Sequence, residues 1–316
     1  MDFIWLLTGL TLLTIAGDFL VRGATTIAQT CHIPPLLIGL TIVGFGTSAP
    51  ELVVGIQAAI EGTPDLAVGN VTGSNIANIL LALGVPALLT QVSCQQPFVR
   101  RNTICMLAAS IFIVVFAQTG EFSRDSGITL LLLFAAYMAY SIRKITTTRQ
   151  VALELIEEVE SISLESKSLT KAIFYTVAGI IILPLSAALT VYGATQTASA
   201  MGVSDAVIGL TVVALGTSLP ELATVIAAAR QKNSAMIVGN ILGSNIFNST
   251  AILGTIILTS DAPIKIDALQ FDLFIMLGAT VLLSLFVLMK ASLHRITGTA
   301  FMAGYIAYIT TTLWTA

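Results

Sequence analysis

The chain carries an internal repeat, and this feature constrains its fold more than any other. Residues 39–84 align without a gap to residues 209–254, at an offset of 170, and 23 of the 46 positions are identical. The identities concentrate in glycine, threonine, serine, proline, glutamate and asparagine. Self-similarity of this kind indicates two structurally related halves.

Most of the chain is too apolar for a water-soluble domain. Of its 316 residues, 56% are hydrophobic and 10% are charged, far from the composition of soluble proteins. A helix needs about 20 apolar residues to cross a bilayer. Ten segments fit that length: 3–29, 36–60, 66–90, 102–119, 126–142, 172–200, 206–229, 236–258, 269–289 and 297–314. They are too long for barrel strands and lack strict alternation, which predicts an all-α membrane protein with ten transmembrane helices.

The repeat divides these helices into two sets of five. We predict a first five-helix repeat over 1–144, a short cytoplasmic linker over 145–170 and a second five-helix repeat over 171–316. Because five is odd, the two copies enter the membrane from opposite sides. Inverted repeats are typical of secondary transporters, whose substrate site lies between the repeats near the membrane midplane. A duplication that only builds a symmetric bundle is the alternative, but it does not explain why polar residues recur.

Basic residues predict the orientation of the chain. Only Arg124 and Lys265 lie in one alternate set of loops. The other set contains Arg100, Arg101, Arg143, Lys144, Arg149, Lys167, Lys171, Arg230, Lys232, Lys290 and Arg295. By the positive-inside rule the richer set is cytoplasmic, and both termini lie outside the cell membrane. The net charge of −3 by itself implies no nucleic-acid partner. The apolar composition implies a lipid bilayer as the surroundings, and the sequence implies no obligate protein partner.

The first repeated motif, GTSAPE in one copy and GTSLPE in the other, places a glutamate in an apolar run. Pro50 and Pro220 lack an N–H group, so each is predicted to break its helix and leave nearby carbonyls without donors. At membrane depth such carbonyls need a polar cavity, and a cation is a natural partner for them. Further oxygen ligands in this motif are Thr47, Ser48, Glu51, Thr217, Ser218 and Glu221.

The second repeated motif, GNVTGSNIAN and GNILGSNIFN, is predicted to begin the next helix of each repeat. Ser74 and Asn78 share a helix face because they are four residues apart, as do Ser244 and Asn248. A glycine-rich phosphate nest is an alternative, but neither motif contains Lys or Arg. Four motif glycines are predicted to let helices approach closely: Gly69, Gly73, Gly239 and Gly243.

Together the motifs supply carboxylates, amides, hydroxyls and carbonyls, the ligands that hard cations such as Na⁺ and Ca²⁺ prefer. Neither motif contains His or Cys, which argues against zinc, copper and iron. We therefore predict no resident cofactor and no enzyme. One Ca²⁺, two Na⁺ or two protons would neutralise Glu51 and Glu221, and competition for this pair predicts an antiporter that works by alternating access. Na⁺/Ca²⁺ exchange and Ca²⁺/H⁺ exchange both fit, and a passive cation channel is a third alternative.

The paired motifs resemble the alpha-repeats of the Ca²⁺/cation antiporter superfamily, which includes the sodium/calcium exchangers, and the resemblance covers essentially the whole chain. It implies that Glu51 and Glu221 are ligands shared by Ca²⁺ and Na⁺, so we predict an antiporter that exchanges Ca²⁺ for Na⁺, with Ca²⁺/H⁺ exchange as the alternative. It also implies that the carbonyls of Thr47 and Thr217 complete the calcium site. Flanking sodium sites, with the two motif asparagines at the centre, would involve Ser48, Ser74, Gly44, Ser218, Ser244, Ala214, Asn78 and Asn248.

Some charged positions depart from the motifs or lie outside them. Asn248 stands where some prokaryotic members of that superfamily and its potassium-dependent branch carry aspartate, so a third acidic group is missing. Asp18 and Arg22, one turn apart on the first helix, are predicted to form a structural or gating ion pair. The acidic stretch 154–165 lacks the spacing of a calcium-binding EF-hand loop and is predicted to be a solvated amphipathic helix.

Overall fold

The structure is a computed structural model that describes residues 2–147, 168–202, 214–261, 264–266 and 269–315. The helices are α1 (Asp2–Cys31), α2 (Pro35–Thr47), α3 (Ala49–Ile60), α4 (Pro64–Leu89), α5 (Val99–Ala117), α6 (Arg124–Thr147), α7 (Leu169–Ala200), α8 (Ala214–Gly216), α9 (Leu219–Arg230), α10 (Ser234–Thr259), α11 (Gln270–Leu288) and α12 (Arg295–Thr315). The strands are β1 (Val92–Ser93), β2 (Glu121–Phe122), β3 (Ile264–Lys265) and β4 (Ser292–Leu293). The described part of the chain is therefore mostly helical.

Seven described helices are long and apolar enough to cross a membrane, judged by length and composition, and there are eight if the bent pair α2 and α3 is one span. The seven are α1, α4, α5, α6, α7, α10 and α11. The predicted span 206–229 begins outside the described residues, and the predicted span 297–314 falls within α12. The arrangement of ten spans in two inverted repeats stays a prediction.

Described helices flank the predicted linker 145–170 on both sides. Helix α6 continues to Thr147 and α7 already begins at Leu169. The Ser168 side chain accepts a hydrogen bond from the Lys171 backbone N–H at 3.5 Å, which caps the start of α7. The predicted acidic helix at 154–165 lies outside the described residues.

Backbone features of the two halves recur 170 residues apart. Helices α3 and α9 share their bounds at this offset, and so do α4 and α10. Both α4 and α10 contain a π-helical turn at the same place, Asn78–Ala82 and Asn248–Ile252. Left-handed residues recur as well: His32, Gly62 and Gly120 correspond to Gly202, Lys232 and Lys290. The halves therefore share their backbone conformation well beyond the 46 aligned residues.

Short strands join the two halves at two places. Strand β1 pairs with β4, with Val92 opposite Leu293, and β2 pairs with β3, with Glu121 opposite Lys265. Both pairs are antiparallel, and each combines one strand from each half. The connections between helices therefore also hold the halves together.

The second motif does not begin a helix, and that prediction is wrong. Helix α4 begins at Pro64, since proline is favoured in a first turn where its missing N–H is not needed. Helix α10 begins after Asn233, whose Oδ1 accepts a hydrogen bond from the Met236 backbone N–H at 3.0 Å. The motif lies further along each helix, where its backbone N–H groups are used within the helix and are not available to a phosphate.

Helix α10 lies in backbone contact with α2. A Cβ atom added at Gly243 would lie 2.3 Å from the Leu40 carbonyl oxygen, and one added at Gly239 would lie 2.5 Å from the Leu36 carbonyl oxygen. Side chains do not fit at such distances, so the predicted packing role is confirmed for these two glycines. The close approach places the polar residues of α10 against the helix that carries the first motif.

Replacing Gly243 with alanine is expected to destabilise the protein. Overpacking against the Leu40 backbone costs about 1–3 kcal/mol, which exceeds the gain in helix propensity of about 1 kcal/mol. The measurement is the midpoint of thermal unfolding in detergent. The control is Gly278→Ala, because no described atom lies within 4 Å of a Cβ there and alanine occupies the equivalent position, Ala108. Equal midpoints for the two variants would contradict the packing account.

Candidate ion-binding site

Each half interrupts a helix at the first motif. The bend between α2 and α3 is 41°, and Ser48, which lies between them, has a non-helical ψ of 7°. Ser218 takes the same place between α8 and α9, with a ψ of 0°. Pro50 and Pro220 lie in the first turn after each break. The predicted helix breaks are therefore present in both copies.

The breaks leave backbone carbonyls without their usual donors. In a continuous helix the carbonyls of Gly46 and Gly216 would accept from the nitrogens of Pro50 and Pro220, which carry no hydrogen. No described backbone N–H donates to the carbonyl of Thr217. Carbonyl oxygens of this kind are available to a bound cation.

Glu51 and Glu221 lie in the first turn after each break, and both are 0% exposed. Neither pairs with a Lys or Arg among the described residues. A helix N-terminus favours a negative charge, but burying an ion still costs several kcal/mol without a counter-charge. This arrangement needs positive charge from outside the protein.

Two serine hydroxyls lie within 3.5 Å of Glu221, whereas the Ser74 hydroxyl, a neighbour of Glu51, makes no hydrogen bond within that distance among the described residues. Ser48 Oγ donates to Glu221 Oε1 at 2.8 Å, and Ser244 Oγ lies 3.4 Å from the same oxygen. Ser244 Oγ also donates to the Gly44 carbonyl at 3.1 Å. Neither carboxylate oxygen of Glu51 has a hydrogen-bond partner. The two carboxylates therefore differ in their surroundings although their motifs are nearly identical.

Other buried oxygens of the motifs also have no partner. Asn78 Nδ2 donates to Asn245 Oδ1 at 2.9 Å, which leaves Asn78 Oδ1 unpaired. Neither amide atom of Asn248 has a partner. The hydroxyls without a partner are Ser74 Oγ and Ser218 Oγ. Unpaired buried acceptors are costly unless a donor or a cation satisfies them.

The donor set suits a hard cation. Among the described residues, no three His, Cys, Asp or Glu side chains gather at one place. A cation bound at the motifs would therefore be held by two carboxylates together with neutral oxygens. Ca²⁺ and Na⁺ accept carboxylate, carbonyl, amide and hydroxyl oxygens in this way.

Most of the predicted site residues can be placed. Ser48 and Ser244 both lie beside Glu221, and Ser244 also donates to the Gly44 carbonyl. The remaining polar residues, Ser74, Ser218, Asn78 and Asn248, are buried in the same two motifs, with Thr47 at the first break and Thr217 at the second. For Ala214 only the backbone is described.

Two further asparagines contact the site and were not predicted. Thr47 Oγ1 donates to Asn240 Oδ1, and Thr217 Oγ1 donates to Asn70 Oδ1, each at 3.3 Å. Both asparagines follow the first glycine of the second motif and recur in both copies. Their recurrence is the signal in the sequence that identifies them, because nothing else in a helix interior favours asparagine.

The predicted ion pair on α1 is present. Arg22 lies 3.9 Å from Asp18, and the side chain of Arg22 is 67% exposed. The separation of 3.9 Å is at the outer limit for an ion pair, so its contribution to stability is small.

Known proteins resemble this chain along nearly its whole length. The sequence profile of the family described as "Sodium/calcium exchanger protein" matches residues 1–143 and 171–314. A putative antiporter, CaxA of Alkalimonas amylolytica, is 36% identical over 311 residues, which cover 96% of each chain. The sodium/calcium exchanger MaX1 of Methanosarcina acetivorans is 30% identical, and the alignment covers 98% of this chain and 97% of MaX1.

A solved structure supports the same assignment. The sodium-calcium exchanger NCX_Mj, soaked with zero Na⁺ and Ca²⁺, superposes with a TM-score of 0.85 at 30% identity, covering 98% of both chains. The neighbours named here are transporters rather than enzymes. The chain therefore belongs to the sodium/calcium exchanger family of integral membrane antiporters.

Proposed function

We propose that this protein exchanges Na⁺ for Ca²⁺ across the membrane by alternating access. The observation that carries the proposal is the pair of fully buried carboxylates, Glu51 and Glu221, one after each of two equivalent helix breaks. The names of MaX1 and NCX_Mj, both sodium/calcium exchangers, support the choice of ions.

In this proposal Glu51 and Glu221 bind Ca²⁺ together with the carbonyls of Thr47 and Thr217. Na⁺ takes over the same carboxylates and uses the neighbouring neutral oxygens. These come from Ser48, Ser74, Gly44, Ser218, Ser244 and Ala214, with Asn78 and Asn248 at the centre. When an ion leaves, the two buried carboxylates would carry uncompensated charge, which is costly. One kind of ion must therefore replace the other, and this couples Ca²⁺ transport to Na⁺ transport.

The unequal surroundings of the carboxylates suggest an order of events. Among the described residues Glu51 has no hydrogen bond within 3.5 Å to lose, whereas Glu221 must exchange its bond with Ser48 for a contact with the ion. In the described conformation an entering cation therefore engages Glu51 first. The hydroxyls of Ser48 and Ser244 then rotate, so that their oxygen lone pairs face the ion and their protons point away from it.

Ten spans in two inverted five-helix repeats complete the proposed architecture, with both termini outside. The recurrence of helix bounds at a constant offset supports a duplicated unit. An odd number of spans in each unit reverses its direction in the membrane. Alternating access then follows when one set of helices rocks against the other around the buried site.

Neutralising either glutamate is expected to abolish exchange. Glu51→Gln and Glu221→Gln keep the side-chain shape but remove a charged ligand, so Na⁺-dependent Ca²⁺ uptake should fall by about 100-fold or more. The measurement is ⁴⁵Ca²⁺ uptake into Na⁺-loaded proteoliposomes. Glu61→Gln is the matched control, because Glu61 is exposed and bonds only to Gln57 on its own helix. Normal exchange in either buried variant would overturn the proposed site.

The identity of the counter-ion is tested by applying a Na⁺ gradient and a pH gradient separately. With the membrane potential clamped and no pH gradient, an outward Na⁺ gradient is expected to drive ⁴⁵Ca²⁺ into the vesicles, because Na⁺ competes for the two carboxylates. Uptake that requires a pH gradient and ignores Na⁺ would instead indicate Ca²⁺/H⁺ exchange. Calcium flux that proceeds without any counter-ion would indicate a channel.

A further inference from the structure

Two hydrogen bonds cross between the halves of the protein in a reciprocal manner. Thr47 of the first half donates to Asn240 of the second, and Thr217 of the second half donates to Asn70 of the first. The two threonines are 170 residues apart, and so are the two asparagines. The two hydrogen bonds are therefore equivalent contacts in the two halves. A contact that the duplication preserves in both directions constrains both helix breaks in the same way.

The contact fixes the residue that ends the interrupted helix. Thr47 is the last residue of α2, and its hydroxyl lies 3.3 Å both from Asn240 Oδ1 and from the Gly44 carbonyl oxygen. Holding the side chain on two sides limits rotation of the peptide that follows it. The direction of the Thr47 carbonyl is therefore set in part by α10, a helix of the opposite half.

Asparagine is well suited to this position. Its carboxamide oxygen accepts the threonine proton, yet it carries no charge that would compete with the glutamates for a cation. The Asn240 side chain is 0% exposed, and its Nδ2 has no partner. Asn70 Nδ2 also has no partner. Among the described residues, the contact with threonine is therefore the hydrogen bond that each of these two side chains makes.

We propose that Asn240 and Asn70 are positioning residues that hold Thr47 and Thr217 in the orientation needed to bind Ca²⁺. This inference rests on the proposed function, because it takes the threonine carbonyls as ligands. The two contacts are not equally strong. Thr47 and Asn240 are fully buried, whereas Thr217 and Asn70 are partly exposed. A hydrogen bond shielded from water contributes more, so Asn240 has the larger effect.

A double-mutant cycle tests the larger contact. Asn240→Leu removes the acceptor, and Thr47→Val removes the donor while keeping the backbone carbonyl. Calorimetry on the full-length protein in detergent measures the Kd for Ca²⁺, and thermal unfolding without Ca²⁺ measures stability. Each single variant is expected to raise the Kd about three- to tenfold, and the double variant should raise it no further than the weaker-binding single variant. Asn70→Leu should give a smaller rise than Asn240→Leu.

The matched control is Thr224→Val. Thr224 is fully buried, its hydroxyl bonds only to the Pro220 carbonyl of its own helix, and valine occupies the equivalent position, Val54. This variant should leave the Kd unchanged. Independent, multiplying effects of Asn240→Leu and Thr47→Val would overturn the inference. So would a loss of stability in Asn240→Leu at an unchanged Kd, which is what a merely structural role predicts.

The same experiment separates this inference from the proposed function. Na⁺-driven ⁴⁵Ca²⁺ uptake by the wild-type protein is measured in parallel. If the wild type binds Ca²⁺ with the expected coupling but shows no Na⁺-driven uptake, the exchange function is wrong and the positioning role stands. If the wild type exchanges the ions and the cycle shows no coupling, only the positioning role is wrong. No binding of Ca²⁺ to the wild type would overturn both.

Discussion

Two carboxylates buried without a basic partner impose the physical constraint on which the rest of this structure depends. Glu51 and Glu221 are fully buried inside a largely apolar protein. Ionised groups in such surroundings are stable only if their charge is balanced locally. No described basic side chain supplies that balance. A bound cation or a proton would supply it, and the proposed exchange takes a cation at this place.

The fold forms the candidate site by interrupting helices and bringing them together. Each break presents carbonyls and hydroxyls at a depth where a continuous helix would present neither. Glycines at Gly239 and Gly243 let α10 touch the backbone of α2, so that its asparagine and serine side chains reach the first break. The close packing of these two helices therefore sets the distances between the polar groups around the first break. A change in helix separation would alter the distances around the carboxylates.

Near-identical motifs occupy different surroundings in the two halves. Glu221 accepts a hydrogen bond from Ser48 and lies 3.4 Å from the Ser244 hydroxyl, whereas no described group hydrogen-bonds to the oxygens of Glu51 within 3.5 Å. The difference arises from the helices that surround the motifs and not from the motifs themselves.

The amino-acid sequence by itself determined the membrane class, the helix breaks and the oxygen-rich side chains gathered at them, because apolar length, proline chemistry and recurring polar residues are local properties. It also pointed to the paired glutamates, since a carboxylate in an apolar run is conspicuous. It misplaced the second motif at a helix start, since glycine and asparagine often mark helix ends, whereas Pro64 and Asn233 set the actual starts earlier. Only the tertiary structure decided that Asn240 meets Thr47 and Asn70 meets Thr217. Such contacts join residues far apart in the chain, and they depend on how closely helices of opposite halves approach.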